Sequence, residues 1–268
     1  MTTMQRPAEH RRHPLRALAT AEYRQFRRNT TLLYLGTLFP VGIPLLTFFV
    51  ERHASMGGRE TSAFELFALI ALLLVQYYSV LSLVTTRRGE GVLKRLRTGE
   101  AADWQIQAAP TVPGAVLTVI GAVIVAAVVY GAGAPAPVNP VALVLAVVAG
   151  LVIFSLLALA TSAVTKNAEA AQITSIPVIT LAVIGLASIR TVLPDRLATV
   201  ADWTPFAAVS DLVSLGTAGK PATAGKSYIA LDFAGTFHHF GRPVATLVIW
   251  AMLSLVLARV YFRWDIRD

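Results

Sequence analysis

The sequence predicts an all-α membrane protein with six transmembrane helices. Of its 268 residues, 55% are hydrophobic and only 14% are charged. The mean hydropathy of +0.63 is too high for a soluble domain of this length. The apolar residues form runs of roughly 20, enough to cross about 30 Å of hydrocarbon as a helix. Since lipid offers backbone groups no hydrogen-bond partner, each run is expected to be helical.

Composition also limits the kinds of partner and chemistry expected of this chain. The net charge is +8 and there is no cysteine, which excludes disulfides, thiolate metal sites and cysteine nucleophiles. The basic residues cluster beside the apolar runs, where anionic headgroups attract them. Membrane lipid is therefore an expected partner, and nucleic acid is not.

Residues 1–30 hold seven arginines and no apolar run, so they do not resemble a cleavable signal peptide. Their apolar side chains fall on one helical face, with arginines on the other faces. We expect a cytosolic, basic helix lying in the membrane interface. The apolar face would consist of Leu15, Leu18, Ala19, Tyr23 and Phe26.

Six apolar runs follow and are the expected spans of a single membrane domain covering residues 1–268. Prolines predict bends in the first span, at Pro40 and Pro44, and in the fifth, at Pro177. The six runs cover residues 31–50, 64–84, 112–130, 140–164, 173–193 and 243–262.

The distribution of cations predicts the orientation of these spans. With the N-terminus inside, sixteen of the 23 Lys and Arg residues lie on the inner side and seven on the outer side. The positive-inside rule therefore places both termini in the cytosol and the chain in the plasma membrane as a multi-pass protein.

The longest outer segment, residues 194–242, is not polar throughout. Its apolar residues recur at steps of three or four, which indicates short amphipathic or re-entrant helices on the extracytoplasmic side. Pro205 and Gly216 are expected to break these helices. The apolar series is Leu197, Val200, Trp203, Phe206, Val209, Leu212 and Leu215.

A basic stretch within residues 85–110 separates the second and third runs. Val92, Leu93 and Leu96 recur at helical spacing among five Lys and Arg residues, so a short helix with an apolar edge and a cationic face is expected. Such a helix suits docking of a partner better than catalysis. The alternative is an ordinary positively charged inner loop.

No residue pattern indicates an enzyme. The segment from Gly219 to Ser227 has five residues between its glycines where a phosphate loop needs four. His238 and His239, with Asp232 nearby, favour a solvated loop over a metal site because adjacent histidines diverge from a regular element. Neither a metal nor a cofactor is expected in this chain.

Polar residues inside the spans are the remaining candidates, because polar groups in lipid are costly. They either line a substrate path or join helices by hydrogen bonds, and we slightly favour the path. No span carries a central ionisable residue, so energy is expected from outside the chain. The predicted path residues are Gln76, Tyr77, Tyr78, Ser79, Gln172 and Ser175.

Taken together, these features resemble the permease subunit of an ABC transporter of the ABC-2 class. Residues 87–98 resemble the charged family segment that precedes the third span. Residues 193–197 and 203–206 resemble the family's outer Leu-Pro and later Pro-aliphatic signature. The order of the remaining features also fits the family over nearly the whole chain.

The resemblance implies an exporter of drugs, antibiotics or lipids, built from two permease subunits and two separate ATPase subunits that hold ATP and Mg. It implies that the loop forms a coupling helix on the ATPase. Gly99 stands where the family often has a proline, so the residue at which the coupling helix ends is not predicted. Glu90, Gly91, Leu93, Leu96 and Arg97 would make the contact, flanked by Val92, Lys94 and Arg95.

Three alternatives remain at this stage. A polysaccharide or teichoic-acid exporter would share the architecture, but the middle spans have few aromatic residues for sugar stacking. A membrane-embedded enzyme would need a converging catalytic set. A structural or signalling membrane component would have no ATPase partner.

Overall fold

The computed structural model describes residues 20, 30–53, 58–98, 102–225, 227–262 and 264, and within these ranges it contains helices and no strand. Four helices are long and apolar enough to cross a membrane: α2 (Arg59–Gly89), α4 (Asp103–Gly131), α5 (Pro140–Ser162) and α11 (Gly241–Tyr261). They correspond to the second, third, fourth and sixth predicted spans. The predicted interfacial helix of residues 1–30 lies outside the described residues, apart from Thr20 and Thr30.

The first apolar run forms helix α1 (Thr30–His53), which contains both predicted bend positions, Pro40 and Pro44. It packs against α2 and α4. Its 24 residues reach about 36 Å as a helix, which suffices to cross the hydrocarbon. Whether it crosses stays a prediction.

The fifth apolar run is not one straight helix. Helix α6 (Ala170–Ile184) ends before Gly185, and a separate short helix, α7 (Ala187–Arg190), follows. A Cβ on Gly185 would lie 2.6 Å from the backbone nitrogen of Ala207, so the chain turns where only glycine permits this close approach. The count of six crossings and the side on which the termini lie therefore remain predictions.

Helix α2 changes its winding in the middle. Residues Ala71–Tyr78 form a π-helix between α-helical halves Arg59–Ile70 and Ser79–Gly89. Three of the predicted path residues, Gln76 to Tyr78, lie in this wider section. Such π segments are frequent at functional sites.

The outer segment forms α8 (Asp195–Ala201), α9 (Pro205–Ala218) and the short α10 (Phe233–Thr236). Pro205 begins α9, as expected of a proline in a first helical turn. Gly216, however, does not break the helix: it lies inside α9, where an added Cβ would meet the Leu143 side chain at 2.6 Å.

Helix α9 also differs from the predicted amphipathic pattern. All its residues from Pro205 to Thr217 are buried, and it packs against α2, α5 and α11. The apolar residues of α9 do recur at steps of three or four. The other positions of this helix are mostly Ala, Ser and Thr, whose side chains are small enough to be buried as well. α9 is thus a core helix, not one lying on a leaflet.

Candidate functional site

The loop after α2 forms a short helix, α3 (Val92–Arg97), as the sequence predicted. The chain turns into it at Gly91, whose φ of 66° is left-handed and favours glycine. Arg95 donates from Nη2 to the carbonyl oxygen of Glu90 at 2.9 Å, which closes this turn from the other side. The helix therefore lies at the end of α2.

The apolar edge of α3 faces the protein itself. Leu93 is 1% exposed and belongs to the central hydrophobic cluster, and Leu96 packs against that cluster. The Leu93 side chain is therefore covered by the permease itself, whereas Leu96 is half-buried, and contact of this segment with an ATPase stays a prediction. The helix is short and follows a tight turn, so its leucines reach the ends of the permease's own helices first.

The opposite face of α3 is exposed and cationic. Lys94, Arg95 and Arg97 of this helix are all exposed, and Glu90, just before the helix, is exposed as well. The Arg97 guanidinium lies 4.9 Å from the ring centre of Trp264 and 3.6 Å from the Asp103 carboxylate. This face, which we call the α3 basic face, is the part of the predicted coupling segment that a partner could touch.

Arg88, whose role no sequence pattern indicates, anchors this region. It is 3% exposed, and its Nη1 donates to the carbonyl oxygens of Ser162 at 2.8 Å and Thr165 at 3.1 Å. A cation at these carbonyls also suits the negative end of the α5 dipole. Arg88 lies at the end of α2, just before α3, and thereby connects this region to the C-terminal end of α5.

Two of the predicted path residues, Gln76 and Tyr77, are fully buried and join helices. Gln76 donates from Nε2 to Ser155 Oγ at 2.6 Å and to the Thr111 carbonyl at 3.2 Å, which ties α2 to α5 and α4. Tyr77 donates from its hydroxyl to Thr161 Oγ1 at 3.1 Å. These hydrogen bonds join helices, which is one of the two roles expected of polar residues inside the spans.

The other path residues lie in different surroundings. Tyr78 and Ser79 are half-buried. Gln172, in the first turn of α6, is exposed. Ser175, three residues further along the chain, is buried, and its hydroxyl donates to the Gln172 carbonyl oxygen at 2.9 Å. The role of all six residues in a path stays a prediction.

A cavity of about 400 Å³ opens between α2, α4, α5 and α11. Gln76 and Ser155 form part of its wall, and Trp104 and Arg259 lie at the end near α3. The remaining lining residues are mainly aliphatic. Tyr77 and the two α6 residues, Gln172 and Ser175, do not line it.

At the opposite end of α2 lies a ring of four charged side chains that the sequence did not reveal. Arg190 pairs with Asp202 at 2.7 Å and with Asp211 at 2.8 Å. Arg242 pairs with the other oxygens of the same two carboxylates, at 2.6 Å and 2.8 Å. We call these four residues the outer charge ring.

The outer charge ring is connected to α2 through Glu65. Ser210, which accepts a bond from Arg190, donates to Glu65 Oε1 at 2.5 Å, and the backbone nitrogen of Ala187 donates to the same oxygen. Along α2, Glu65 lies about 36 Å from Gly89 at 1.5 Å per residue. The outer charge ring and α3 therefore occupy opposite ends of one helix.

The histidine segment has an ordinary structural role. Asp232 accepts from the backbone nitrogen of Gly235 at 2.8 Å and caps α10, while His239 lies 3.3 Å from the Tyr228 hydroxyl. Across the described ranges, no three His, Cys, Asp or Glu side chains converge as a metal site would require.

Comparison with protein families shows that the model of the ABC-2 type transporter family matches residues 13–206. This match covers α1 to α8 and confirms the resemblance of the chain to the ABC-2 class. A comparison with curated proteins found no significant match. Together with the four apolar helices, the family places the chain in the cell membrane as a multi-pass protein. The chain belongs to the ABC-2 type transporter family and is the membrane permease component of an ABC exporter.

Proposed function

We propose that this permease exports an amphipathic drug, antibiotic or lipid-like molecule and is driven by two separate ATPase subunits that bind α3. ATP and Mg would be held by those subunits. The observation that carries the proposal is the α3 basic face: its cations point outward while Leu93 and Arg88 fix the helix to the bundle.

This arrangement suits the transmission of force. A rim of acidic residues on the ATPase would pair with Lys94, Arg95 and Arg97, giving orientation and selectivity more than bulk affinity. Because Arg88 donates hydrogen bonds to carbonyl oxygens at the C-terminal end of α5, a force applied to α3 would act on α2 and α5 together.

The substrate path is proposed to lie between two permease subunits. Tyr78, Ser79 and Gln172 have exposed or half-buried side chains that such a path could use. The π-helical section of α2 offers a place where a push from α3 could change the helix near these residues. Both termini and α3 would lie in the cytosol, with the outer charge ring outside.

A double charge reversal, Lys94→Glu with Arg95→Glu, tests the docking. Both side chains are exposed on α3, so the fold should survive while attraction to an acidic rim becomes repulsion. We expect the purified membrane complex to lose its ATPase subunits and at least about tenfold of its ATP hydrolysis, corresponding to about 1.4 kcal/mol.

Arg196→Glu is the matched control, because this arginine is exposed on α8 at the other end of the bundle. It should retain the ATPase and full hydrolysis. If the double reversal keeps both, while melting as the unaltered protein does, the α3 basic face is not the docking surface.

A further inference from the structure

The cavity beside Gln76 has the shape and lining of a ligand site within one subunit. Its volume of about 400 Å³ falls in the range of small-molecule sites, roughly 300–1,000 Å³. Leu151, Val152 and Leu156 of α5 face Leu255 and Ala258 of α11 across it. Because these helices cross the membrane, the walls lie at a depth where hydrocarbon chains are the surrounding solvent.

The donor groups of Gln76 and Ser155 at the cavity wall are already engaged. The Gln76 amide donates to Ser155 and Thr111, and Ser155 donates to the Leu151 carbonyl at 2.6 Å. The Gln76 acceptor atom, Oε1, has no hydrogen-bond partner within the described part of the chain and faces α4, where a Cβ on Gly114 would lie 2.6 Å away from it. The interior therefore offers an occupant mainly apolar contact.

The mouth of the cavity has a different chemistry. Arg259 is exposed at the last turn of α11, and Trp104 is 60% exposed at the start of α4. Aromatic rings of this kind prefer the level of the lipid headgroups, and a guanidinium pairs with phosphate oxygens through two parallel bonds. An apolar cavity with a cation at its mouth is complementary to a lipid that has apolar acyl chains and an anionic headgroup.

We propose that the cavity binds one acyl chain of an anionic phospholipid, whose phosphate pairs with Arg259. The chain would fill the space between α5 and α11 and stiffen the contacts around Gln76. This site lies within one subunit and needs no ATPase, so it stands independently of the docking role of α3.

The test uses the full-length chain alone in nanodiscs of phosphatidylcholine with a minor fraction of dibrominated lipid. Bromine on the acyl chain quenches a neighbouring indole, and the Trp104 signal is the difference between the protein and its Trp104→Phe variant. Brominated phosphatidylglycerol should quench Trp104 about fivefold more effectively than brominated phosphatidylcholine, the preference that one surface arginine supplies.

Two matched pairs of variants locate the effect. Arg259→Gln should abolish the preference for phosphatidylglycerol, whereas Arg196→Gln, which removes an exposed charge far from the cavity, should keep it. Val152→Phe should fill the slot and reduce quenching, whereas Val148→Phe, one turn away and equally exposed on α5, should not.

The site would be refuted by equal quenching from the two brominated lipids, or by equal effects within either pair. Unchanged melting temperatures establish that the variants are folded. If Val152→Phe fails to fold, the Arg259→Gln pair decides the outcome, since that side chain is exposed. Preferential retention of an uncharged amphiphile over phosphatidylglycerol in native mass spectra would also overturn the proposal.

Discussion

Arg88 and Leu93 hold α3 against the bundle, and both are hidden from solvent. Arg88 looked from the sequence like one more cation of a positive inner loop, because its spacing does not reveal the α5 carbonyls it reaches. Leu93 was recognised as apolar, but helical spacing cannot say which surface an apolar edge covers. The segment was predictable from sequence, whereas the direction of its faces was not.

Replacing Arg88 with Gln should weaken both stability and coupling. The shorter side chain cannot reach both carbonyls, and a lost bond to a buried group costs about 1–3 kcal/mol. We expect a lower melting temperature and less transport per ATP hydrolysed. Arg95→Gln, an exposed change on α3, should shift the unfolding free energy by no more than about 0.5 kcal/mol. Equal melting of the two variants would contradict the anchoring role of Arg88.

Tyr77 and its neighbour Tyr78 separate a helix-joining role from a path role. Tyr77→Phe removes one buried hydrogen bond and should cost about 1 kcal/mol of unfolding free energy, with the exported cargo range unchanged. Tyr78→Ala removes a half-buried ring and should change which amphiphiles are exported. Resistance or export profiles measure both variants. A changed profile in Tyr77→Phe would place its hydroxyl on the path instead.

At the level of elements, the long apolar runs were enough to predict α2, α4, α5 and α11, because length and hydropathy alone determine such helices. The π-helical section and the break at Gly185 were not predictable in this way. The break at Gly185 depends on the close approach of the chain to Ala207, which length and hydropathy do not reveal. The burial of α9 likewise depends on its partners.

The outer charge ring joins α7, α9 and α11 through residues 12 to 40 positions apart, so no local pattern could have revealed it. Its two arginines are not equivalent. The Arg190 side chain is 0% exposed, whereas that of Arg242 is 40% exposed. Solvent can replace the second arginine but not the first.

Arg190→Gln should therefore be much more destabilising than Arg242→Gln. Removing Arg190 leaves the Asp211 carboxylate, 4% exposed, with Arg242 as the remaining cation of the ring, and breaking a buried ion-pair network in this way costs about 3–5 kcal/mol. Loss of a part-exposed pair costs about 1 kcal/mol or less. Denaturant unfolding in detergent measures both, and similar losses would show that the ring is not a buried network.

At the scale of the whole molecule, α2 links two ends with different chemistry. Its C-terminal end carries α3 and Arg88, its middle changes winding, and its N-terminal half contacts the outer charge ring through Glu65. A force applied at one end can thus reach the other through one helix. The family and the membrane location followed from sequence, whereas this mechanical connection required the structure.

The most direct test of the account is cysteine labelling with and without the ATPase, since the chain has no cysteine of its own. Thr98→Cys, exposed after α3, and Ile229→Cys, 86% exposed in the outer segment, are treated with a membrane-impermeant maleimide. We predict that Thr98→Cys reacts only in inside-out vesicles and is protected when the ATPase subunits are bound. Ile229→Cys should react only from outside and without protection. Labelling of Thr98→Cys on intact cells, or labelling that bound ATPase does not slow, would contradict the account.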